Sequence, residues 1–286
     1  YISNRKTALQ LLCNCADIYD NVFLSNDVGI TAVATSDSTF ETLSYENITS
    51  INIKNCKILN SNYDGLIASF PNNQNYVNKI INVDCSYTRN GNGFKVRNCN
   101  LVNCKALWNK YYGFILLGNK YLYKCHAINN QTGILVASTD NNLFIFPYFK
   151  FKNHTETSRE YNTSNVPIFR RTNFYNCSVR GSLGGSGIVF SIHSSYSLIV
   201  NCEISGNQGS LESFYDIVKY KKNYYFTGGG IKGFRDNNLF LINTTIVGNL
   251  GYGICIIDDL KKILSPTTRQ FVDYQGNPIT TGSDEY

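Results

Sequence analysis

The sequence has few charged residues and few strong helix formers, and each shortage excludes a class of protein. Charged residues make up 16% of the 286 residues and hydrophobic residues 43%, whereas disordered chains show the opposite balance. No apolar run of about 18 residues or more occurs, so no membrane-spanning helix is predicted. Alanine is scarce, and Asn, Tyr and Ile take the place of helix formers, which argues against a helical fold.

Methionine and zinc-site motifs are also absent. The chain starts at Tyr1 without any Met, which we interpret as a processed or partial product. Residues 1–12 lack the residue order of a signal peptide, and an earlier targeting segment stays an open alternative. The 10 Cys include no Cys-x-x-Cys pair, and Cys and His do not fall at zinc-binding spacings. We therefore expect no metal and no cofactor.

The net charge of +6 gives little information about partners. Lys and Arg residues are scattered, apart from Lys219, Lys221 and Lys222, so we expect no nucleic-acid partner. An acidic polysaccharide is compatible with this charge but is not required by it.

A repeat with a period near 20 residues runs through most of the chain. The full pattern is an apolar residue, a Cys or Thr three residues later, a second apolar residue, an Asn, and then a Gly before an apolar-x-apolar run, and some copies lack an element. The copies are centred on Cys56, Cys85, Cys104, Cys125, Cys177, Cys202 and Thr244, with a degenerate copy at Cys15. The glycines that open the runs are Gly29, Gly65, Gly93, Gly113, Gly133, Gly187, Gly230 and Gly253.

The alternation of two within each run predicts short β-strands rather than helices. Because a single copy is too short to form a core, copies must stack, and their strands then pair in parallel. The central Cys column is expected to point inward. Asn and Gly tolerate left-handed backbone and should form the corners, where stacked Asn side chains can hydrogen-bond along the stack. The residues before the central column are Asn14, Asn55, Asp84, Asn103, Lys124, Asn176, Asn201 and Asn243.

This repeat resembles that of the right-handed parallel β-helix superfamily, over about Leu12 to Asp258. The superfamily includes pectate-lyase-like enzymes, polygalacturonases, phage tailspikes and surface proteins. We predict a single all-β, right-handed parallel β-helix of about eight coils. It comprises a degenerate N-terminal coil or cap (1–41), the β-helix (42–259) with insertions at about 139–171 and 209–229, and a C-terminal tail or cap (260–286).

The resemblance implies a specific place for catalysis, on the outward face of the strand after the corner Gly. A sugar-cleaving groove needs carboxylates or a basic residue there. Lys95 and Arg97 are basic, but this face is mainly apolar, so we predict that residues 143–151 or a neighbouring subunit cover it. The packing residues are Ile67, Ile115, Leu117, Leu135, Val189 and Ile257.

The catalytic candidates are few, and each has a simpler interpretation. Asp258 and Asp259 follow a corner strand, as does an Asp pair in polygalacturonases, but the Gly-His-Gly and Arg-Ile-Lys signatures of those enzymes are absent. Arg235 and Asp236 suit a lyase base and its partner, but an exposed ion pair is the favoured interpretation. His126 and His154 are interpreted as solvated, and His193 as a loop histidine without an Asp partner.

The second insertion is aromatic and basic, which suits sugar stacking, although a simple packed cover remains the alternative. Its candidate glycan-binding residues are Tyr220, Tyr224, Tyr225, Lys219, Lys221 and Lys222. Among six Asn-x-Ser/Thr sites, Asn153 and Asn162 are expected to be accessible to glycosylation. Asn176 and Asn243 lie at stacked corners and are expected to be blocked.

Three functions fit these observations. We favour a non-catalytic structural or adhesive protein at a cell or virion surface, an extracellular subunit of a homo-oligomer or filament. The alternatives are a polysaccharide lyase or glycoside hydrolase, and a carbohydrate-binding module.

Two states are possible for the inward Cys residues, free thiols or disulfides between coils. We expect free thiols, because the spacing of stacked coils suits a disulfide in distance but less well in angle.

Overall fold

The computed structural model describes most of the repeat. The described residues are 1–11, 16–33, 51–70, 78–117, 121–137, 172–190, 197–216, 221–227, 229–234, 239–257, 263–264 and 271–272. All regular structure within these ranges is β-strand. No helix in the described part is long and apolar enough to cross a membrane.

Three parallel sheets, here called A, B and C, contain most of the strands. Sheet A consists of β1 (Ile2–Ser3), β4 (Val22–Leu24), β7 (Lys57–Leu59), β10 (Asp84–Ser86), β13 (Lys105–Leu107), β16 (His126–Ile128), β19 (Ser178–Arg180), β22 (Glu203–Ser205) and β27 (Thr245–Val247). Sheet B consists of β2 (Thr7–Leu11), β5 (Val28–Val33), β8 (Leu66–Ser69), β11 (Phe94–Arg97), β14 (Tyr112–Leu117), β17 (Thr132–Ala137), β20 (Ile188–Phe190), β25 (Gly229–Phe234) and β28 (Tyr252–Ile257). Sheet C consists of β3 (Ala16–Tyr19), β6 (Ile51–Lys54), β9 (Asn78–Ile81), β12 (Cys99–Val102), β15 (Tyr121–Tyr123), β18 (Asn173–Tyr175), β21 (Ser197–Val200) and β26 (Leu239–Ile242).

The chain visits sheets C, A and B in turn, and each strand pairs in parallel with its counterpart one coil away. Phe94 lies opposite Phe114, which in turn lies opposite Ile134. The predicted single parallel β-helix is therefore confirmed. Its right-handed coiling stays a prediction, supported by the strong preference of parallel crossovers for that hand.

Left-handed backbone turns the chain at two corners of each coil, as predicted. Asn and Gly dominate these positions because they adopt positive φ at low cost. Between sheets C and A the residues with positive φ are Asp20, Asn55, Asn82, Asn103, Lys124, Asn176, Asn201 and Asn243. Between sheets A and B they are Asn4, Ser25, Asn60, Tyr87, Trp108, Asn129, Gly181, Gly206 and Gly248.

The core is a set of columns that run along the coil axis. In sheet B, the column through Ile30, Leu66, Phe94 and Phe114 is fully buried. The rings of Phe94 and Phe114 stack with centroids 4.7 Å apart. Burying each such side chain contributes about 1.5–3 kcal/mol, which a lone coil could not obtain.

A second, polar column lies just inside the corner between sheets A and B. The side-chain Oδ1 of Asn109 accepts from the backbone N–H of Thr88 at 3.1 Å, and its Nδ2 donates to the Oδ1 of Asn130 at 2.9 Å. Asn207 donates in the same way to Asn249 at 2.8 Å. The predicted hydrogen bonding of Asn side chains along the stack is confirmed.

Two repeat copies were placed wrongly from the sequence. Cys85 lies opposite Ile58, not Cys56, so the central column of that coil contains Val83, which follows the corner residue Asn82. The sequence pattern did not identify Val83 because it was defined by Cys and Thr, whereas other side chains of similar size also fit the central column. Asp84 is therefore not a corner residue.

The N-terminal copy is also displaced from Cys15. The corner residue there is Asp20, whose N–H donates to the carbonyl of Lys54, so the central residue is Asn21. Cys15 itself lies outside the described residues. The strands β1 to β5, within residues 1–33, are in register with the coils that follow.

The second insertion contains an antiparallel hairpin, β23 (Ser210–Asp216) and β24 (Lys221–Thr227). A second antiparallel pair joins β29 (Ile263–Leu264) to β30 (Phe271–Val272), within the predicted tail. The first insertion lies outside the described residues.

Candidate functional site

The outward face of sheet B, where the resemblance implies a polysaccharide groove, is partly buried. Ile67, Ile115 and Leu117 are buried, and Leu135 and Val189 are half-buried. This burial occurs within a single chain, and a further contribution from a neighbouring subunit stays a prediction. Residues 143–151 lie outside the described part of the chain, so their role as cover stays a prediction. Ile257 ends β28, and its side chain is not described.

Lys95 is the basic group at the centre of this face. It lies between Ile67 and Ile115 in the register of the sheet. Burial lowers the pKa of its ammonium group, and the nearby Asp64 carboxylate partly opposes this. Lys95 itself is half-buried on this mainly apolar face.

The catalytic candidates are not brought together in the described residues. Arg235, Asp236, Asp258, Asp259, His154 and His193 all lie outside the described residues. His126 is half-buried in β16, beside Lys105 and Ser178. Burial, together with the charges of Lys105 and Arg180, lowers the pKa of His126. Within the described ranges, no group of three or more His, Cys, Asp or Glu side chains is arranged to hold a metal.

The candidate glycan-binding insertion is described only in its backbone. Lys221 and Lys222 pair with Asp216 and Tyr215, and Tyr224 and Tyr225 pair with Ser213 and Glu212. Lys219 and Tyr220 lie outside the described residues, as do Asn153 and Asn162.

The sequons at the corners are accessible rather than blocked. Asn176 and Asn243 are both exposed at these corners. The expectation that they are blocked is therefore wrong.

The central column forms a ladder of thiols on four consecutive coils: Cys104, Cys125, Cys177 and Cys202. The thiols are buried and free, and the backbone N–H of Cys177 donates to the Sγ of Cys202 at 3.3 Å. Each Sγ also donates to the carbonyl two residues earlier, at 3.5 Å for Cys104 and 3.2 Å for Cys202. Thr244 makes the same bond at 3.1 Å on the last coil.

The pKa values of the Cys125, Cys177 and Cys202 thiols are raised above their ordinary value, which favours the protonated form at neutral pH. Hydrogen bonding to the Cys125 thiol and burial raise the pKa of Cys177 to about 12. Burial raises the pKa of Cys125 well above its ordinary value. Because the thiolate is the reactive form, these residues act as packing and hydrogen-bonding groups rather than nucleophiles.

The last coil exposes side chains that are core residues elsewhere. Leu241, Ile254 and Ile256 point inward yet are 38%, 42% and 45% exposed. Their counterparts one coil earlier, Ile199 and Ile231, are each 0% exposed. Strands β26, β27 and β28 are also the outermost strands of their sheets.

The first coil is open in the same way. A cavity of about 340 Å³ is lined by Ile2, Leu9, Leu11, Ala16 and Ile18, among others. Leu9 is the first member of the inward column of sheet B whose last member is Ile254. Both ends of the described solenoid therefore present apolar interior and unpaired strand edges.

An aromatic corner lies on the side of the solenoid, between sheets A and B. Tyr87 and Trp108 occupy left-handed positions in adjacent coils, with φ of 64° and 57°, and are 49% and 50% exposed. Left-handed backbone costs roughly 1–2 kcal/mol for such residues. Tyr63 and Tyr111, also exposed, lie in the same connections. The aromatic corner comprises Tyr63, Tyr87, Trp108 and Tyr111.

The sequence pattern did not identify this corner because the copy at Cys85 was assigned the wrong register. With Cys85 in the central column, Tyr87 falls at an inward position equivalent to Ala106. Correcting the register by two residues moves Tyr87 to the corner. An aromatic residue where other copies have Asn, Ser or Gly is the signal that identifies it.

No protein-family model, curated protein or solved structure matches this chain. The superfamily assignment therefore stays a resemblance, whereas the parallel β-helix follows from the strand pairing itself.

Proposed function

We propose that this protein is a structural subunit that assembles head to tail, the last coil of one copy stacking on the first coil of the next. The exposed core of the last coil carries this proposal: Leu241, Ile254 and Ile256 have the residue types and inward positions of buried residues. Its setting at a cell or virion surface belongs to the same proposal.

Strand edges support pairing between copies. An outermost strand presents unpaired N–H and C=O groups that can template another strand. All three sheets are parallel, so the edge formed by β28 has the same relation to the edge formed by β2 as any coil has to the next. Stacking would therefore continue the ladder without reversing the strand direction.

The number of strands in each sheet indicates which sheets meet where one copy stacks on the next. The described part of sheets A and B contains nine strands each, and that of sheet C eight. When β27 meets β1 and β28 meets β2, sheet C retains room for one further strand between β26 and β3. Sheets A and B therefore carry the contact.

Burial of the exposed inward side chains would stabilise the junction between two copies. Covering the exposed part of each inward side chain contributes about 1 kcal/mol, and the cavity at the first coil supplies apolar partners for it. Because the two contacting surfaces differ, the interface is heterologous and can repeat as a filament.

Two end-blocking variants test this assembly. Ile254→Lys places a charge in the last coil, and Leu9→Lys places one in the first. Each variant alone is expected to be monomeric in sedimentation velocity, while an equimolar mixture forms a dimer through its two intact ends. Wild-type protein should form axial chains in electron micrographs.

Val247→Lys is the matched control. Val247 is exposed on the last coil but points outward from sheet A, so this variant should assemble as wild type does. A wild-type protein that stays monomeric up to its solubility limit would contradict the proposal. Dimers formed by Leu9→Lys alone would show that the last coils meet each other instead.

A further inference from the structure

We propose that the aromatic corner is a binding site for an anionic glycan, a polysaccharide whose sugar rings carry carboxylate or sulfate groups. This site lies on the side of the solenoid and does not depend on head-to-tail assembly.

The aromatic residues are not required by the fold. The other described coils have Asn, Ser or Gly at the same corner, and these residues adopt the backbone conformation more readily. Tyr87 and Trp108 also leave about half of their surface in solvent, so the core does not account for them. Strained residues cluster at binding sites, which motivates a binding role for Tyr87 and Trp108.

The geometry suits a chain of rings. Tyr87 and Trp108 are in register on adjacent coils, since the N–H of Tyr87 donates to the carbonyl of Leu107 and that of Trp108 to Ile128. Adjacent coils lie about 4.8 Å apart. Flat amphipathic side chains at this spacing present a surface against which the apolar faces of successive sugar rings can stack.

The charges near the corner select an anion. Arg89 and Lys110 each follow the corner aromatic by two residues, and both are exposed. Neither side chain makes a hydrogen bond or ion pair with another described residue. The carboxylate of the connecting segments, Asp64, is buried and accepts from the N–H and Nδ2 of Asn92 at 2.9 and 2.7 Å. The exposed charge is therefore positive, and Arg89 can bind a carboxylate or sulfate with two hydrogen bonds.

The polar surroundings favour a glycan over a protein. Protein interfaces concentrate apolar area in a contiguous core, whereas charged and amide side chains separate these rings. Asn90 and Gln131 are exposed beside Arg89 and Lys110 and can bind sugar hydroxyls. Single-stranded nucleic acid also stacks on aromatic residues, so it is included in the test.

Trp108 is the single Trp of the chain, so its fluorescence reports on this site alone. The probes are polygalacturonate for carboxylate, dextran sulfate for sulfate, unmodified dextran as the neutral polymer, and poly(U) RNA. We expect polygalacturonate, dextran sulfate or both to shift the emission to shorter wavelength and protect Trp108 from acrylamide quenching. Dextran should do neither. The measurement uses the Ile254→Lys chain as well as wild type, so that a failure of assembly is distinguishable from a failure of binding.

Variants separate this site from general attraction of polyanions. By titration calorimetry, Tyr87→Asn and Arg89→Gln should each weaken binding by about tenfold. The controls are Tyr123→Asn, which alters an exposed Tyr beside Lys124 on sheet C, and Lys105→Gln, which removes an exposed cation on sheet A. Both should bind as wild type does.

Three results would overturn the proposal. The first is no response to either anionic polysaccharide. The second is an equal loss of affinity in Arg89→Gln and Lys105→Gln, which indicates non-specific adsorption. The third is tighter binding of poly(U) than of both polysaccharides, which assigns the corner to nucleic acid.

Discussion

Asn109 and Asn130 lie one coil apart in the interior and share a hydrogen bond from Nδ2 to Oδ1 of 2.9 Å. The same Oδ1 of Asn130 accepts from the backbone N–H of Asn109 at 2.9 Å, and the Nδ2 of Asn130 donates to the carbonyl of Ala106 at 2.8 Å. One side chain thus satisfies three polar groups of the preceding coil in a site that water does not reach.

Asn130→Ala should therefore destabilise the protein by about 2–4 kcal/mol, because it leaves two buried donors without an acceptor. Chemical unfolding measures this loss. Asn173→Ala is the matched control: it removes an outward, partly exposed Asn of sheet C and should cost less than about 0.5 kcal/mol. Equal losses in the two variants would show that the buried column adds nothing.

Gly113 is required by close packing between coils rather than by backbone strain. A Cβ there would lie 2.7 Å from the Nδ2 of Asn130 and 2.8 Å from the carbonyl oxygen of Gly133. We expect Gly113→Ala to lower the free energy of unfolding by about 1–3 kcal/mol, since backbone atoms must shift. At Gly253 an added Cβ meets only Ile246, at an ordinary 3.5 Å, so Gly253→Ala should change stability little. A reversed order in thermal melting would refute the coil spacing.

The corner residue Asn201 tests the left-handed backbone without interference from the core. Its φ is 51° and its side chain is exposed, so substitution there mainly reports backbone preference. Asn201→Gly should be nearly neutral, whereas Asn201→Val should cost roughly 1–2 kcal/mol because a β-branched residue is disfavoured at positive φ. Denaturant midpoints compare the pair, and indistinguishable midpoints would contradict this conformation.

The thiol ladder predicts a loss of stability at high pH. The pKa of Cys177 rises from 9.0 to about 12 on folding, so the folded state retains a proton that the unfolded state releases. Its contribution is complete below pH 9 and is lost as the pH rises from 9 to 12, by about 1.4 kcal/mol per pH unit. The reference is Cys177→Val, which introduces the residue that Val83 naturally provides in this column and should show a shallower decline.

The same ladder should resist alkylation in the native protein. Cys104, Cys125, Cys177 and Cys202 should remain unlabelled by iodoacetamide at pH 8 and become labelled on unfolding, as read by peptide mass spectrometry. Rapid labelling of Cys125 in the folded state would show that the column is open to solvent.

The spacing of Gly93, Gly113 and Gly133 was sufficient to predict the parallel coils, because strand pairing forces equal coil lengths into register. It did not place Cys85, because Val83 fits the same inward position and residue volume, not thiol chemistry, defines that position. The outward stripe through Ile115 was recognised as apolar. The sequence predicted that this stripe is covered but did not decide between residues of the same chain and a neighbouring subunit, because that depends on what folds over it.

The sequence by itself determined the repeating unit, since local alternation, Asn and Gly corners and inward apolar residues are encoded within about 20 residues. Only the tertiary structure decided which residues face outward at the ends and at one corner. Ile254 resembles every buried Ile of the repeat and is exposed solely because no described coil follows it. Tyr87 resembles a core residue until the pairing of β10 with β7 places it on the surface. The exposure of a side chain depends on residues that are distant in the sequence and close in space. A local repeat pattern does not specify those residues.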